Sequence, residues 1–101
     1  MDFKTIDTAL TDLMERKNKA YGNAYKDNYE AFGTTYAAIE VFNKVNRIKT
    51  LVKNPDISDN GEHLFDSFVD LRNYAELAIK EMIERKEVPT DVLAKYKIET
   101  E

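Results

Sequence analysis

Asp59 to Tyr74, DNGEHLFDSFVDLRNY, is the stretch whose reading decides the fold. Leu64, Phe68 and Leu71 recur at four and three residues, the repeat that sets side chains on one face of a helix. The same stretch spaces Glu62, Asp66 and Asp70 four apart, with Asn73 three further on. At about 100° per residue these four fall within roughly 80° of arc and make a single acidic stripe. Like charges at this spacing repel by about 0.2–0.5 kcal/mol per pair on an exposed helix. A stripe that repeats the repulsion calls for something cationic opposite it: a metal, a basic helix or a ligand.

Continued through Ala75, Ala78 and Met82, the repeat predicts a helix over about 60–86 whose core face is Leu64, Phe68, Leu71, Ala75, Ala78 and Met82. The acidic stripe lies nearly opposite that face. Val69, Tyr74 and Leu77 flank the stripe, so the helix is apolar on more than one side. Such a helix is expected to be covered on more than one side, in so short a chain by another subunit. Asp59 with Glu62 has capping-box spacing, and Ser58 is a rival cap.

Upstream, Asn54-Pro55 ends a helix that starts at Thr34 or Thr35. Its expected buried face is Ala37, Ala38, Val41, Val45, Ile48 and Val52, with Phe42 at the border. Glu40, Lys44 and Arg47 follow one another at the margin of that face, where long stems reach a neighbouring helix. Phe3, Ile6, Leu10, Leu13 and Met14 predict a first helix from Asp2 or Thr5 to about Lys19, ended by Tyr21-Gly22. Between these helices, residues 22–33 carry Tyr25, Tyr29 and Phe32 at helical spacing before Gly33 breaks the pattern. They read either as a linker packed on the core or as an aromatic wall beside a ligand. Val88-Pro89-Thr90 opens a short last helix capped by Thr90 and anchored by Val92, Leu93 and Tyr96. The expectation is an all-α, oligomeric bundle of three main helices and a short C-terminal one, a single domain over 1–101.

Composition narrows the function. With six Tyr and five Phe the chain can fill a core, which argues against disorder. Net charge is −4 and there is no basic tract, which argues against a duplex nucleic-acid partner. Without Cys, and with His63 as the single His, thiolate and multi-histidine metal sites are excluded within one chain. No run approaches the length of a membrane span, and the N-terminus is too polar for a signal peptide, so a soluble cytoplasmic protein is expected. The nucleophile and phosphate-loop motifs GxSxG, GxGxxG and the P-loop are missing.

What remains is carboxylates, a few cations and aromatics. Hard cations such as Mg²⁺ take oxygen ligands, which Glu62, Asp66 and Asp70 can offer, while Lys44 and Arg47 can neutralise phosphate. The alternative is an interhelical salt-bridge network between the same acids and the same two bases, as in a plain helical interaction protein. Tyr21 and Tyr74 read either as structural tyrosines or as groups that stack on a base, and Lys17 either as a solvated side chain or as a ligand contact. Asn73 has poor helix propensity, so a mid-helix Asn beside acids points to a ligand or a polar network.

Three blocks carry a resemblance: Lys17 to Gly22 (KNKAYG), Lys44-Val45-Asn46-Arg47, and Glu62 through Asp66 and Asp70 to Leu71, Asn73 and Tyr74. Together they resemble the phage and bacterial nucleotide modification associated domain 1 family, over about residues 14–80. That family is similar to the all-α nucleoside triphosphate pyrophosphohydrolases of the MazG and dUTPase type, which hold Mg²⁺ with E-x-x-E on one helix and E-x-x-D on the next. Here the second helix offers Glu40 without E-x-x-E, and Glu62 and Asp66 stand four apart. The resemblance implies a phage-type nucleotide-binding protein of the infected bacterial cytoplasm, with Mg²⁺-dependent pyrophosphohydrolysis as its enzymatic form. Glu62, Asp66 and Asp70 would then hold the metal. Lys44 and Arg47 would meet phosphates, and Lys17, Tyr21, Asn73 and Tyr74 would line the pocket. An anti-defence role is the alternative, a non-catalytic homo-oligomer that sequesters a nucleotide signal of the host.

Overall fold

The computed structural model describes residues 1–21, 23–54 and 61–99, the side chains of Ala20 and Tyr21 excepted. Five helices follow in order: α1 (Phe3–Tyr21), α2 (Ala24–Phe32), α3 (Thr34–Lys53), α4 (Glu62–Glu84) and α5 (Thr90–Lys95). Every element among the described residues is helical, and none is long and apolar enough to cross a membrane. The all-α expectation holds. The helix count changes, because the stretch of helical spacing between the first two main helices contains α2, a helix in its own right.

Local chemistry explains most boundaries. The Asp2 carboxylate accepts both the Thr5 amide N–H, at 2.8 Å, and the Thr5 hydroxyl, at 2.6 Å. This satisfies a free amide of the first turn and holds the Asp2 carboxyl below its ordinary range. Gly33 joins α2 to α3 at φ 66° and ψ −150°, a conformation that only glycine adopts without strain. Gly61, at φ 85°, precedes α4. The residue before α5 is Pro89, not the expected cap Thr90, and no side chain caps that helix. Gly22 and the proposed capping residues Ser58 and Asp59 lie outside the described residues.

α3 and α4 form the most extensive helix pair, and α2 packs on both; α1 adds far less. Lys44 pairs with Asp70 and Arg47 bonds Ser67, so positions rise along α3 as they fall along α4, and the two helices are antiparallel. The chain's own core lies where α2, α3 and α4 meet, with Tyr29, Ala37 and Leu51 buried.

This packing changes the expected core face of α4 in part: Leu64, Leu71, Ala75, Ala78 and Met82 are half-buried, and Phe68 is exposed. The buried residues of α4 are Ser67, Asn73 and Glu81, whereas Phe68 is 53% exposed. α3 leans on the side of α4 that carries Ser67 and Asp70, so Asp70 and Asn73 border the core, while Glu62, Asp66 and Phe68 are exposed. On α3, Ala38, Val45 and Val52 are likewise exposed, and Leu51 takes the inward place. On α1 Phe3 and Ile6 are exposed, and on α5 Leu93 is buried while Tyr96 is exposed.

Candidate functional site

A cavity of about 340 Å³ opens where four helices converge. α1 contributes Met14, Lys17 and Asn18, and α2 contributes Ala24 and Tyr25. Tyr36 comes from α3, and Asp70, Asn73, Tyr74 and Leu77 come from α4. The size suits a small organic ligand.

The α4 residues reach it because Asp70, Asn73, Tyr74 and Leu77 recur at helical spacing on one side of the helix. Asn73 is buried, and its Oδ1 accepts from Arg72 Nη1 at 3.0 Å. The other arm of Arg72, Nη2, donates to Thr11 Oγ1 at 2.8 Å and to the Asp7 carbonyl at 3.3 Å. One guanidinium thus holds α1 against α4 and orients Asn73. Without it, α1 would lose its main described polar tie to the wall that Lys17 completes.

The aromatic side of the cavity is a tyrosine cluster. The Tyr25 ring lies 5.1 Å from that of Tyr36, 6.0 Å from Tyr74 and 6.3 Å from Tyr29, all tilted, the range in which aromatic pairs attract. Burial pushes the Tyr25 phenol up to about 12, helped by the nearby Tyr36 and Tyr29 hydroxyls and by Glu81 and Glu40. Tyr74 is raised for the same first reason, then by Glu40, Tyr36 and Asp70. These phenols therefore stay protonated at neutral pH and can each donate a hydrogen bond. The Tyr25 hydroxyl is buried and has no hydrogen-bond partner among the described residues.

Lys44 sits beside this wall. Its ammonium is 3.8 Å from an Asp70 carboxylate oxygen and 5.1 Å from the centre of the Tyr74 ring. Both members of the ion pair are partly exposed, so the pair is worth about 0–1 kcal/mol. Lys44 is cheaply redirected to a competing anion.

Of the sequence-derived residues, Lys17, Asp70, Asn73 and Tyr74 line one cavity, and Lys44 touches two of them. The Tyr21 side chain lies outside the described residues. Arg47 sits elsewhere. Its Nε donates to Ser67 Oγ at 3.2 Å, the Ser67 hydroxyl donates to the His63 carbonyl, and Arg47 helps line a separate shallow depression with Asn46, Thr50, Leu51 and His63. Glu62 and Asp66 are exposed on α4 outside the cavity. Each step from Glu62 to Asp66 to Asp70 rises about 6 Å along the axis. Among the described residues, no three His, Asp or Glu side chains are gathered to hold a metal ion, so the three carboxylates do not fit a preformed magnesium cage.

Sequence reasoning did not single out Tyr36, Asn18 or Arg72. Tyr25 belonged to the aromatic-wall reading and does stand at the cavity, while Tyr29 is core and Phe32 is exposed. Tyr36 continues the spacing of Tyr25, Tyr29 and Phe32, but the break at Gly33 hides that continuity. No family model matches the chain, and neither the curated proteins nor the solved structures provide a match.

Proposed function

We propose that this chain binds a nucleotide or a nucleotide-derived small molecule in the four-helix cavity, and does so as a homo-oligomer. The observation that carries the reading is the four-helix cavity itself, walled by Tyr25, Tyr36 and Tyr74 and holding Asn73 and Lys17. The cavity offers what a nucleotide requires: phenol rings for the base, Asn73 and tyrosine hydroxyls for polar edges, and Lys17 and Lys44 for phosphate charge. The resemblance to the nucleotide modification associated domain 1 family supports the same class of ligand.

Binding without turnover is the form that the carboxylates favour. Of the three, Asp70 alone reaches the cavity, and Lys44 already pairs with it. That arrangement suits a protein that sequesters a nucleotide signal, including one of host anti-phage defence. In the enzymatic form of this proposal, a Mg²⁺ bound with the nucleotide would supply the chemistry of pyrophosphohydrolysis, and Asp70 is the carboxylate at hand.

Mass spectrometry of small molecules released by heat from the purified protein, with a thermal-shift panel of nucleotides with and without Mg²⁺, tests the proposal. A phosphorylated nucleoside should co-purify or raise Tm, and Lys17→Ala together with Tyr25→Ala should remove the shift. Recovery of the ligand unchanged marks the binding form; release of pyrophosphate, abolished in Asp70→Asn, marks the enzyme. Absence of any shift across the panel would falsify both.

A further inference from the structure

We infer that the outer face of the α3–α4 pair is a symmetric interface that a second copy of this chain covers. The inference rests on the homo-oligomer part of the reading above and names the surface.

On α3, Phe42, Val45 and Val52 fall within about 80° of arc, centred about 100° from the buried Ala37. On α4, Phe65, Phe68 and Ile79 fall within about 60°, centred about 130° from the buried Ser67, and Arg72, which reaches α1, starts from the same arc. Both turns run in the same sense from the contact faces of two antiparallel helices, so both apolar arcs come out on one side of the pair. The pairing of Lys44 with Asp70 and Arg47 with Ser67 brings Val45 within one residue of the level of Phe68, which makes the two arcs one surface. Tyr36, Asp70 and Leu77 turn the other way, so the cavity opens on the opposite side.

The exposed area exceeds that of a compact chain of this mass. The accessible surface is 7913 Å², against roughly 5,900 Å² for a compact monomer of this mass, an excess on the order of 2,000 Å² per chain. The radius of gyration is 15.5 Å, where about 13 Å is usual for this length. Obligate homodimers bury roughly 2,000–5,000 Å² in total, so an excess of this size on each of two chains is what such a dimer needs. A second copy is the occupant because a chain whose buried apolar residues are Tyr29, Ala37, Leu51 and Leu93 among those described needs its cover while it folds. The partner always present then is itself, and two-fold pairing puts the same patch on both sides.

The chain has no Cys, so a single introduced thiol reports on one position. Sedimentation equilibrium of the wild type should give twice the chain mass of 11.7 kDa. Val45→Cys should react with a maleimide at least tenfold more slowly than Lys95→Cys on exposed α5, and Phe68→Glu should sediment as a single chain or fail to fold. A wild type at 11.7 kDa at tens of micromolar overturns the homo-oligomer reading itself. A dimer in which Val45→Cys labels as fast as Lys95→Cys, or which survives Phe68→Glu, leaves the homo-oligomer standing and overturns this face.

Discussion

Tyr29 shows how one side chain joins separate elements. It is 1% exposed, and its hydroxyl donates to Glu87 Oε2 at 2.8 Å, beyond the end of α4. The Arg85 guanidinium lies 5.2 Å from the centre of its ring, and Arg85 also pairs with the buried Glu81 at 3.5 Å. Tyr29→Phe keeps the packing and loses the bond. Glu87 is exposed and can turn to water, so the loss should be about 1–2 kcal/mol, read as a lower midpoint in urea at unchanged slope. Burial and the Glu87 bond push the Tyr29 phenol up to about 12, and Tyr25 also stands at about 12, against an ordinary 10.0. A pKa raised in the folded state means that the fold favours the protonated phenol. Its stabilising effect is complete below pH 10 and is lost as pH rises from 10 to 12. Tm should therefore be insensitive to these two groups up to pH 10 and fall above it, and Tyr29→Phe should flatten that fall. Gly33 is a second residue-scale test. No atom lies within 4 Å of where its Cβ would be, so Gly33→Ala should lose about 1–3 kcal/mol through backbone strain alone.

Helix ends and helix attachments make up the next scale. α4 closes with Glu87 N–H bonded to the Met82 carbonyl and Lys86 N–H to that of Ile83, a Schellman motif with Lys86 at φ 58° in the left-handed position. α5 ends the same way, with Lys97 at φ 58°. A lysine there carries a strain that glycine would not. Lys86→Gly should raise stability by about 1 kcal/mol, seen as a higher Tm, whereas the same change in the middle of a helix would lower it. α1 depends on one side chain. Arg72→Ala removes the bonds to Thr11, Asp7 and Asn73 together, so hydrogen exchange should quicken across α1 while α3 and the rest of α4 keep their protection. Affinity for the proposed nucleotide should fall as well, because Lys17 and Asn73 would lose their fixed places. Arg72→Lys cannot reproduce the forked geometry and should recover little.

At the scale of the molecule, two sides of the α3–α4 pair differ: one borders the tyrosine-lined cavity, and the other carries exposed apolar side chains. The sequence by itself determined that the chain is helical, where the helices break at Gly33 and Asn54, and which side chains recur on each face, because these depend on spacing, backbone freedom and termination within a few residues. It also brought Lys17, Asp70, Asn73 and Tyr74 under suspicion together. Only the tertiary structure decided which face of α4 turns inward. A hydrophobic repeat says that a face is to be covered, not by what, and Leu64, Phe68 and Leu71 have the same period whether the cover is the chain's own α3 or a second copy. Only the tertiary structure, too, separated Glu62, Asp66 and Arg47 from the cavity and brought in Tyr25, Tyr36 and Arg72. Those placements follow from how α1, α2 and α3 approach α4, a long-range geometry that no local spacing encodes.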